Sequence, residues 1–292
     1  MPRKLVSFDW AMKKILRQKA NFVILEGFLS ELFKFDVKIE EILESEANQE
    51  SDEDKFNRVD LLAKNEKGEL ILIEVQHNSE IDYFHRMLYG ASKLICEHIR
   101  QGKGYRKVKK IYSVNIVYFA LGQGRDYIYY GQTIFKGLHQ KDEVLEPSKR
   151  QKDDFKIETT SDIYPEYYVL RVNQFNDIAK DSLDEWIYFL KNEEIKDKFN
   201  AKGLNEAKEQ LDVMKLDEKG RALYKRQQEN QMYKESLLYT AKKEGELQGK
   251  ITGKREAKIE VVKKMILSKM DNKTISMLTD LSIQEIEKLR YK

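Results

Sequence analysis

The chain is poor in the residues that would tie it together covalently or place it in a membrane. A single cysteine, Cys96, in 292 residues excludes an internal disulfide and a cysteine-built zinc site. Its place on an apolar helical segment predicts a buried, inert thiol. No stretch approaches the ~18 apolar residues that a membrane-spanning helix requires, and the opening MPRKLVSFDWAMKK lacks the apolar centre of a secretory signal. The expectation is a cytoplasmic protein with no membrane partner. Net charge is scarce as well: 53 basic residues against 50 acidic leave only +3. Any attraction to nucleic acid must therefore come from a local patch. None of the four histidines (His77, His85, His98 and His139) has the partner spacing of a metal site.

What the chain does contain is a charged, globular composition, with length for one full domain and a substantial appendage. Its most informative stretch is RVDLLAKNEKGELILIEVQ, residues 58–76. Val59 to Lys64 and Glu69 to Gln76 read as two strands joined by the polar turn Asn65-Glu66-Lys67-Gly68. Asp60, Glu74 and Gln76 interrupt these apolar runs. Side chains alternate along a strand, so Glu74 and Gln76 share a face. A flush four-residue loop would put Asp60 on the other face. A three-residue loop over 66–68, with Gly68 left-handed, places Asp60 opposite Glu74, and glycine at that position favours this register. Facing carboxylates in an apolar sheet repel and resist desolvation unless a cation lies between them. Oxygen ligands suit Mg²⁺ or Mn²⁺, and the Gln76 amide can orient a water or join the ligands. By residue types alone, a surface hairpin with two solvated acids is an equal reading.

The arrangement Asp60-(x13)-Glu74-x-Gln76 on a hairpin resembles the PD-(D/E)XK nuclease core. More closely, the chain resembles the recombination-promoting nuclease/putative transposase family of that superfamily. Phe8-Asp9 with Lys13 resembles the family's opening FDxxFK pattern. Arg86 with Tyr89, followed by Gly102-Lys103-Gly104-Tyr105, resembles its helix and turn after the motif, and Asp184 to Leu190 resembles its LxxWLYFL helix. The glycine-spaced helix and short terminal helices resemble its tail, so the likeness covers nearly the whole chain. Val59 stands where the superfamily has proline, and Gln76 where it has lysine. Without that ammonium, charge at the transition state must be stabilised by metal or by another residue. The resemblance implies a restriction-endonuclease-like α/β fold: a mixed central sheet flanked by helices, with a C-terminal helical extension. It also implies metal-dependent DNA breakage linked to recombination or mobile elements. Asp9, an acid of the first helix, is a candidate accessory ligand.

Around the hairpin, residues 7–19 and 21–34 read as helices, the second with Asn21 as N-cap and a stripe of Phe22, Leu25, Phe28, Leu29, Leu32 and Phe33. Glu26 is a further helix acid able to approach the hairpin. Residues 36–44 read as a strand and the acidic EANQESDED as a loop. A helix over about 80–101 has Ile81, Phe84, Leu88, Ala91, Leu94, Ile95 and Ile99 as its expected core face. His85, Arg86 and Tyr89 lie off that stripe, and Arg86 is a candidate to contact a DNA phosphate or orient the acids. Strands are expected over 108–119, 125–134 and 167–172, a long polar loop over 139–154, and a helix over 182–191 whose Trp186 and Phe189 pack on the sheet.

The expected division is a nuclease-like domain over 1–192, a charged helical extension over 193–260 and a helix-turn-helix-like tail over 261–292. In the extension, Ala241, Gly245, Gly249, Gly253 and Ala257 recur every four residues, either a seam for homo-oligomers or a flexible linker. Ser282 and Glu285 form a capping box. The basic run that includes Lys254 and Arg255, with Lys13 of the first helix, supplies candidate DNA contacts. The leading functional expectation is a Mg²⁺- or Mn²⁺-dependent DNA endonuclease with Asp60 and Glu74 as metal ligands and Gln76 beside them. A catalytically silent DNA- or protein-binding protein on the same scaffold is the alternative. A transposase with a widely spaced acid trio finds no support.

Overall fold

The structure is a computed structural model that describes residues 5–43, 60–100 and 104–290. The acidic stretch 46–54, Val59, Gly102-Lys103 and the side chain of Ile99 lie outside the described residues. The chain forms two compact units, one ending at Tyr224 and one beginning at Lys225.

The first unit is built on a six-stranded sheet in the order β1-β2-β3-β4-β6-β5. Its strands are β1 (Ile39–Leu43), β2 (Leu61–Asn65), β3 (Leu70–Gln76), β4 (Ile111–Val117), β5 (Ile128–Gly131) and β6 (Glu166–Arg171). The sheet is mixed: β3, β4 and β6 run parallel, while β1, β2 and β5 pair antiparallel. The parallel step from β3 to β4 needs a crossover, which α3 (Tyr83–Arg100) supplies.

Alternation along the strands sends apolar residues to both faces, which therefore both need cover. Ala63, Ile71, Ile73, Val75, Val114, Ile116 and Leu170 face α1 (Phe8–Lys14), α2 (Phe22–Phe33) and α5 (Ser182–Asn192). The second stripe expected for α2 is buried throughout, at 7% exposure or less. Asn21 occupies the N-cap position, but its side chain donates to the Ile15 carbonyl instead of capping. Phe8, Phe28, Trp186 and Phe189 interlock with ring centroids 5.4–6.3 Å apart, each edge-on contact contributing about 0.5–1.5 kcal/mol beyond its buried area. This cluster fixes α1 against the sheet.

The same layer extends beyond residue 192. Leu204, Ala207 and Leu211, on and just after α6 (Leu204–Gln210), are fully buried. Gly27 makes this packing feasible: a Cβ there would stand 2.2 Å from the Lys202 carbonyl oxygen, so only glycine lets α2 approach that backbone. The chain start is tied to the same region, with Val6 N–H donating to the Leu211 carbonyl at 2.8 Å.

On the other face, Leu62, Leu70, Leu72 and Ile111 meet Ala91 and Leu94 of α3, and Val117 and Val169 meet Tyr83 and Met87. The expected core stripe of α3 holds at Ala91 and Leu94 and is corrected before them. Tyr83, Met87, Ala91 and Leu94 face inward, whereas Ile81, Phe84 and Leu88 are more than half exposed. Cys96 is likewise exposed, not buried. The expected loop over 139–154 contains the start of a helix, α4 (Lys149–Phe155), opened by a capping box between Ser148 and Gln151.

In the second unit, α7 (Glu218–Leu267), whose first residues belong to the first unit, is followed by α8 (Asn272–Thr279) and α9 (Ile283–Arg290). Val262, Ile275 and Ile286 form its small core with Met265, Ile266, Met270, Leu281 and Leu289 around them. The capping box of α9 is present, with Ser282 Oγ accepting from Glu285 N–H at 3.3 Å and Glu285 Oε2 accepting from Ser282 N–H at 3.1 Å. No described helix is long and apolar enough to cross a membrane.

Candidate active site

The β2–β3 turn decides which side chains meet. Gly68 adopts φ +74°, and Asn65 pairs with Glu69 around a three-residue loop, its N–H donating to the Glu69 carbonyl at 3.1 Å. The ladder then pairs Leu61 with Ile73 and Lys64 with Leu70. This is the register the glycine turn predicts; Asp60 stands one residue before the ladder, in a bend, where its Oδ2 accepts the Val75 N–H.

Glu74 and Gln76 stand on the α3 face of β3, alternating with Ile73 and Val75 on the other. Gly90 of α3 lies directly above: a Cβ there would be 3.5 Å from Leu72 Cδ2 and 3.9 Å from Glu74 Oε1. The absence of a side chain at this point brings α3 close to the carboxylate and helps bury it to 5% exposure. Beside it, Asn115 is in register with Glu74 on β4. Its Oδ1 accepts from the Tyr83 hydroxyl at 3.4 Å and its Nδ2 donates to Ser113 Oγ at 2.9 Å. A buried polar layer thus runs under the N-terminal half of α3.

Each acid of the pair is matched to a cation. Asp60 Oδ2 accepts the Val75 N–H at 2.7 Å, and its Oδ1 lies 3.2 Å from Lys13 Nζ. Lys13 also meets Asp9 Oδ1 at 2.5 Å, so one ammonium bridges two carboxylates. Arg86 Nε lies 3.6 Å from Glu74 Oε2, while its Nη1 donates to both oxygens of Glu80 at 2.9 and 3.1 Å. Gln76 Nε2 donates to Glu80 Oε1 at 2.5 Å. With its NH₂ group so engaged, the Gln76 amide presents its carbonyl oxygen as an acceptor.

Burial dominates the electrostatics. Loss of hydration raises the Glu74 carboxyl to about 7, with Arg86 opposing the shift and the Asp60 and Glu80 charges adding to it. Asp60 is also raised by burial, against the pull of Lys13 and the Val75 N–H. Burial acts to lower Lys13, but Asp60 and Asp9 outweigh it and hold the ammonium more firmly protonated than usual. Arg86 is raised in the same way, its carboxylate neighbours Glu74 and Glu80 overcoming burial.

The sequence-derived candidates separate clearly. Asp60, Glu74 and Gln76 come together with Asp9, Lys13 and Arg86, and Asp9 is 7% exposed rather than a solvated helix-start acid. Tyr89 is half exposed on α3, and no contact joins it to the acids. Glu26 serves the fold instead, accepting from Ile39 N–H at 2.9 Å and from Lys38 at 3.1 Å. His77 stacks on Tyr118 at 4.4 Å. Lys254 and Arg255 lie on α7 in the second unit, where Arg255 Nη2 is 3.5 Å from Glu285 Oε1. Glu80, which links Gln76 to Arg86, was not legible as a site residue. Its only signal is a position four residues after Gln76, just before the helix that carries Arg86.

Chemically, the half-buried Asp60 carboxylate, the buried Glu74 carboxylate and the Gln76 amide are oxygen donors of the kind that suit a hard cation. Among the described residues no group of three or more His, Cys, Asp or Glu gathers as a metal cluster. No curated protein and no solved structure matches the chain. The model of the PD-(D/E)XK nuclease family transposases matches residues 6–241, and with the mixed sheet and flanking helices in place, the chain belongs to that family.

Proposed function

We propose that this nuclease-family protein is a metal-dependent DNA endonuclease that hydrolyses phosphodiester bonds. The observation that carries the reading is the Asp60–Glu74 pair: a half-buried and a buried acid at the end of the β2–β3 hairpin, both raised by loss of hydration and each set beside a cation. Such a pair is costly without positive charge between or beside it. Asp60 and Glu74 would hold Mg²⁺ or Mn²⁺, with the Gln76 carbonyl beside them. When bound, such a cation polarises a phosphate and makes a water acidic.

The protein's own groups do the rest. Gln76, fixed by Glu80, orients the attacking water through its carbonyl oxygen. Arg86 holds Glu74 and Glu80 in place, and Lys13 supplies beside Asp60 the ammonium that Gln76 does not. Asp9 acts as an accessory acid through Lys13, and Tyr89 flanks the site from α3. We assign the DNA cleavage role to residues 1–192, with 193–260 as a helical extension and 261–292 as a helix-turn-helix-like tail. In that scheme Lys254 and Arg255 add contacts to the DNA backbone. The glycines 245, 249 and 253, with open space around each, offer a seam for a homo-oligomer.

A second reading, a silent DNA- or protein-binding scaffold, draws on Gln76 in place of lysine. Nicking of supercoiled plasmid with Mg²⁺ or Mn²⁺ separates the two. Cleavage by the wild type, lost in both Asp60→Ala and Glu74→Ala, is the expected result. Equal cleavage by all three refutes the assignment of the acids. No cleavage, together with no shift of melting temperature by Mn²⁺, favours the silent scaffold.

A further inference from the structure

The chain is nearly neutral overall, yet residues 10–25 hold Lys13, Lys14, Arg17 and Lys19 and no acid at all. These four fall at the end of α1 and in the turn that leads to α2. All four are exposed. The fold brings this turn to the acids of the hairpin: Arg17 Nη2 donates to the Asp60 carbonyl at 2.9 Å, and Lys13 Nζ lies 3.2 Å from its carboxylate. Lys14, Arg17 and Lys19 form no ion pair with any described carboxylate. Elsewhere in the unit Lys38, Lys64, Lys110, Lys191 and Lys208 have an acid within 3.1 Å, while Lys34, Lys67 and Lys109 are scattered cations with no ion pair to a described carboxylate.

Lys13 and Lys14 sit in the last turn of α1, where cations also complement the helix dipole. Arg17 and Lys19 lie beyond the last turn, so that role does not account for them. Three cations without an ion pair to a described carboxylate, at spacings of three and two residues and reaching Asp60 through Arg17, instead present a short positive track next to that acid. A phosphate backbone passing over Asp60 would meet it.

We infer that the segment Lys13–Lys19 is the surface that seats the DNA backbone, with Lys14, Arg17 and Lys19 contacting phosphates on one side of the scissile bond. The inference rests on the endonuclease reading for its substrate, but concerns binding alone.

The test is the salt dependence of binding of the full chain to a fluorescein-labelled 30-base-pair DNA duplex, read by anisotropy with EDTA present so that no strand is cut. Each phosphate contact contributes about 0.9 to the slope of log K against log salt. The triple variant Lys14→Gln/Arg17→Gln/Lys19→Gln should therefore lose roughly 2 to 3 units of slope. A control, Lys67→Gln/Arg106→Gln/Lys109→Gln, removes the same charge at the opposite end of the sheet, where β3 and β4 begin, and should keep the wild-type slope. If the triple variant is unstable, Lys14→Gln/Lys19→Gln, which disturbs no contact of Asp60, should still lose roughly 1 to 2 units. An unchanged slope, or an equal loss in the control, overturns the inference. Its failure is distinct from that of the nuclease reading: plasmid nicking with an unchanged slope sinks only the track, whereas a selective loss of slope without nicking leaves the track standing.

Discussion

The Glu74 carboxyl provides the sharpest quantitative test of the site. Its folded value is about 7 against 4.5 for a free glutamate. Each unit is worth ~1.4 kcal/mol, so protonation of Glu74 favours the folded state by about 3 kcal/mol. The native state binds the extra proton, so this stability is fully present below pH 4.5 and is lost as pH rises through about 7. Glu74→Gln keeps the shape and stays neutral, and Arg86 retains Glu80 at 2.9 Å. In a unit of this size 1 kcal/mol moves Tm by ~2–4 °C. In EDTA, the variant should therefore exceed the wild type only by roughly 2 to 3 °C near pH 5 and by roughly 6 to 12 °C at pH 8. Adding Mn²⁺ at pH 8 should raise the wild type and leave the variant unchanged, because only the carboxylate gains from the cation. Scanning calorimetry or dye-monitored melting across pH 5 to 8.5 measures both effects. A constant difference between the two proteins over that range would refute a buried, proton-holding Glu74.

Other consequences are equally direct. Arg86→Met should push the Glu74 carboxyl above its present value, moving the pH at which Mn²⁺ begins to stabilise the protein upward by about one unit; metal-dependent melting at successive pH values reads the shift. Gly27→Ala, whose Cβ would stand 2.2 Å from the Lys202 carbonyl, should cost about 1–3 kcal/mol or more through overpacking, measured by urea unfolding. Cys96 is exposed, so a thiol reagent should label it stoichiometrically in the native protein, and protection until unfolding would contradict its placement.

The hairpin was legible because one residue, Gly68, selects the turn, and the turn selects the register that pairs Leu61 with Ile73. The wide stripe of α2 was legible because its opposite side carries few competing apolar residues. In α3 two apolar stripes compete, one through Phe84 and Leu88, the other through Tyr83 and Met87. Periodicity cannot choose between them. The choice is made by Gly90, whose missing side chain lets the helix lie over Leu72 and Glu74. Glu80 escaped notice because it belongs to neither strand nor helix periodicity. Helix α4 has almost no apolar face, so its one signal was the Ser148–Gln151 spacing.

The tie between the start of the chain and residues 193–224 bears on how the site is made. The hairpin acids are 14 residues apart and can meet as soon as β3 exists. Lys13 and Arg17 are set in place by α1, and α1 is covered by partners that come much later: Phe189 and Trp186, and Tyr224, whose ring lies 5.4 Å from Trp10. At about 5–20 residues per second, a ribosome needs roughly 10–40 s to travel from Lys19 to Tyr224. During that interval the acids exist without their cations locked beside them. Assembly of the charge-balanced centre is therefore one of the last events in the synthesis of the first unit, and a nascent chain halted before residue 193 should leave α1 open to protease.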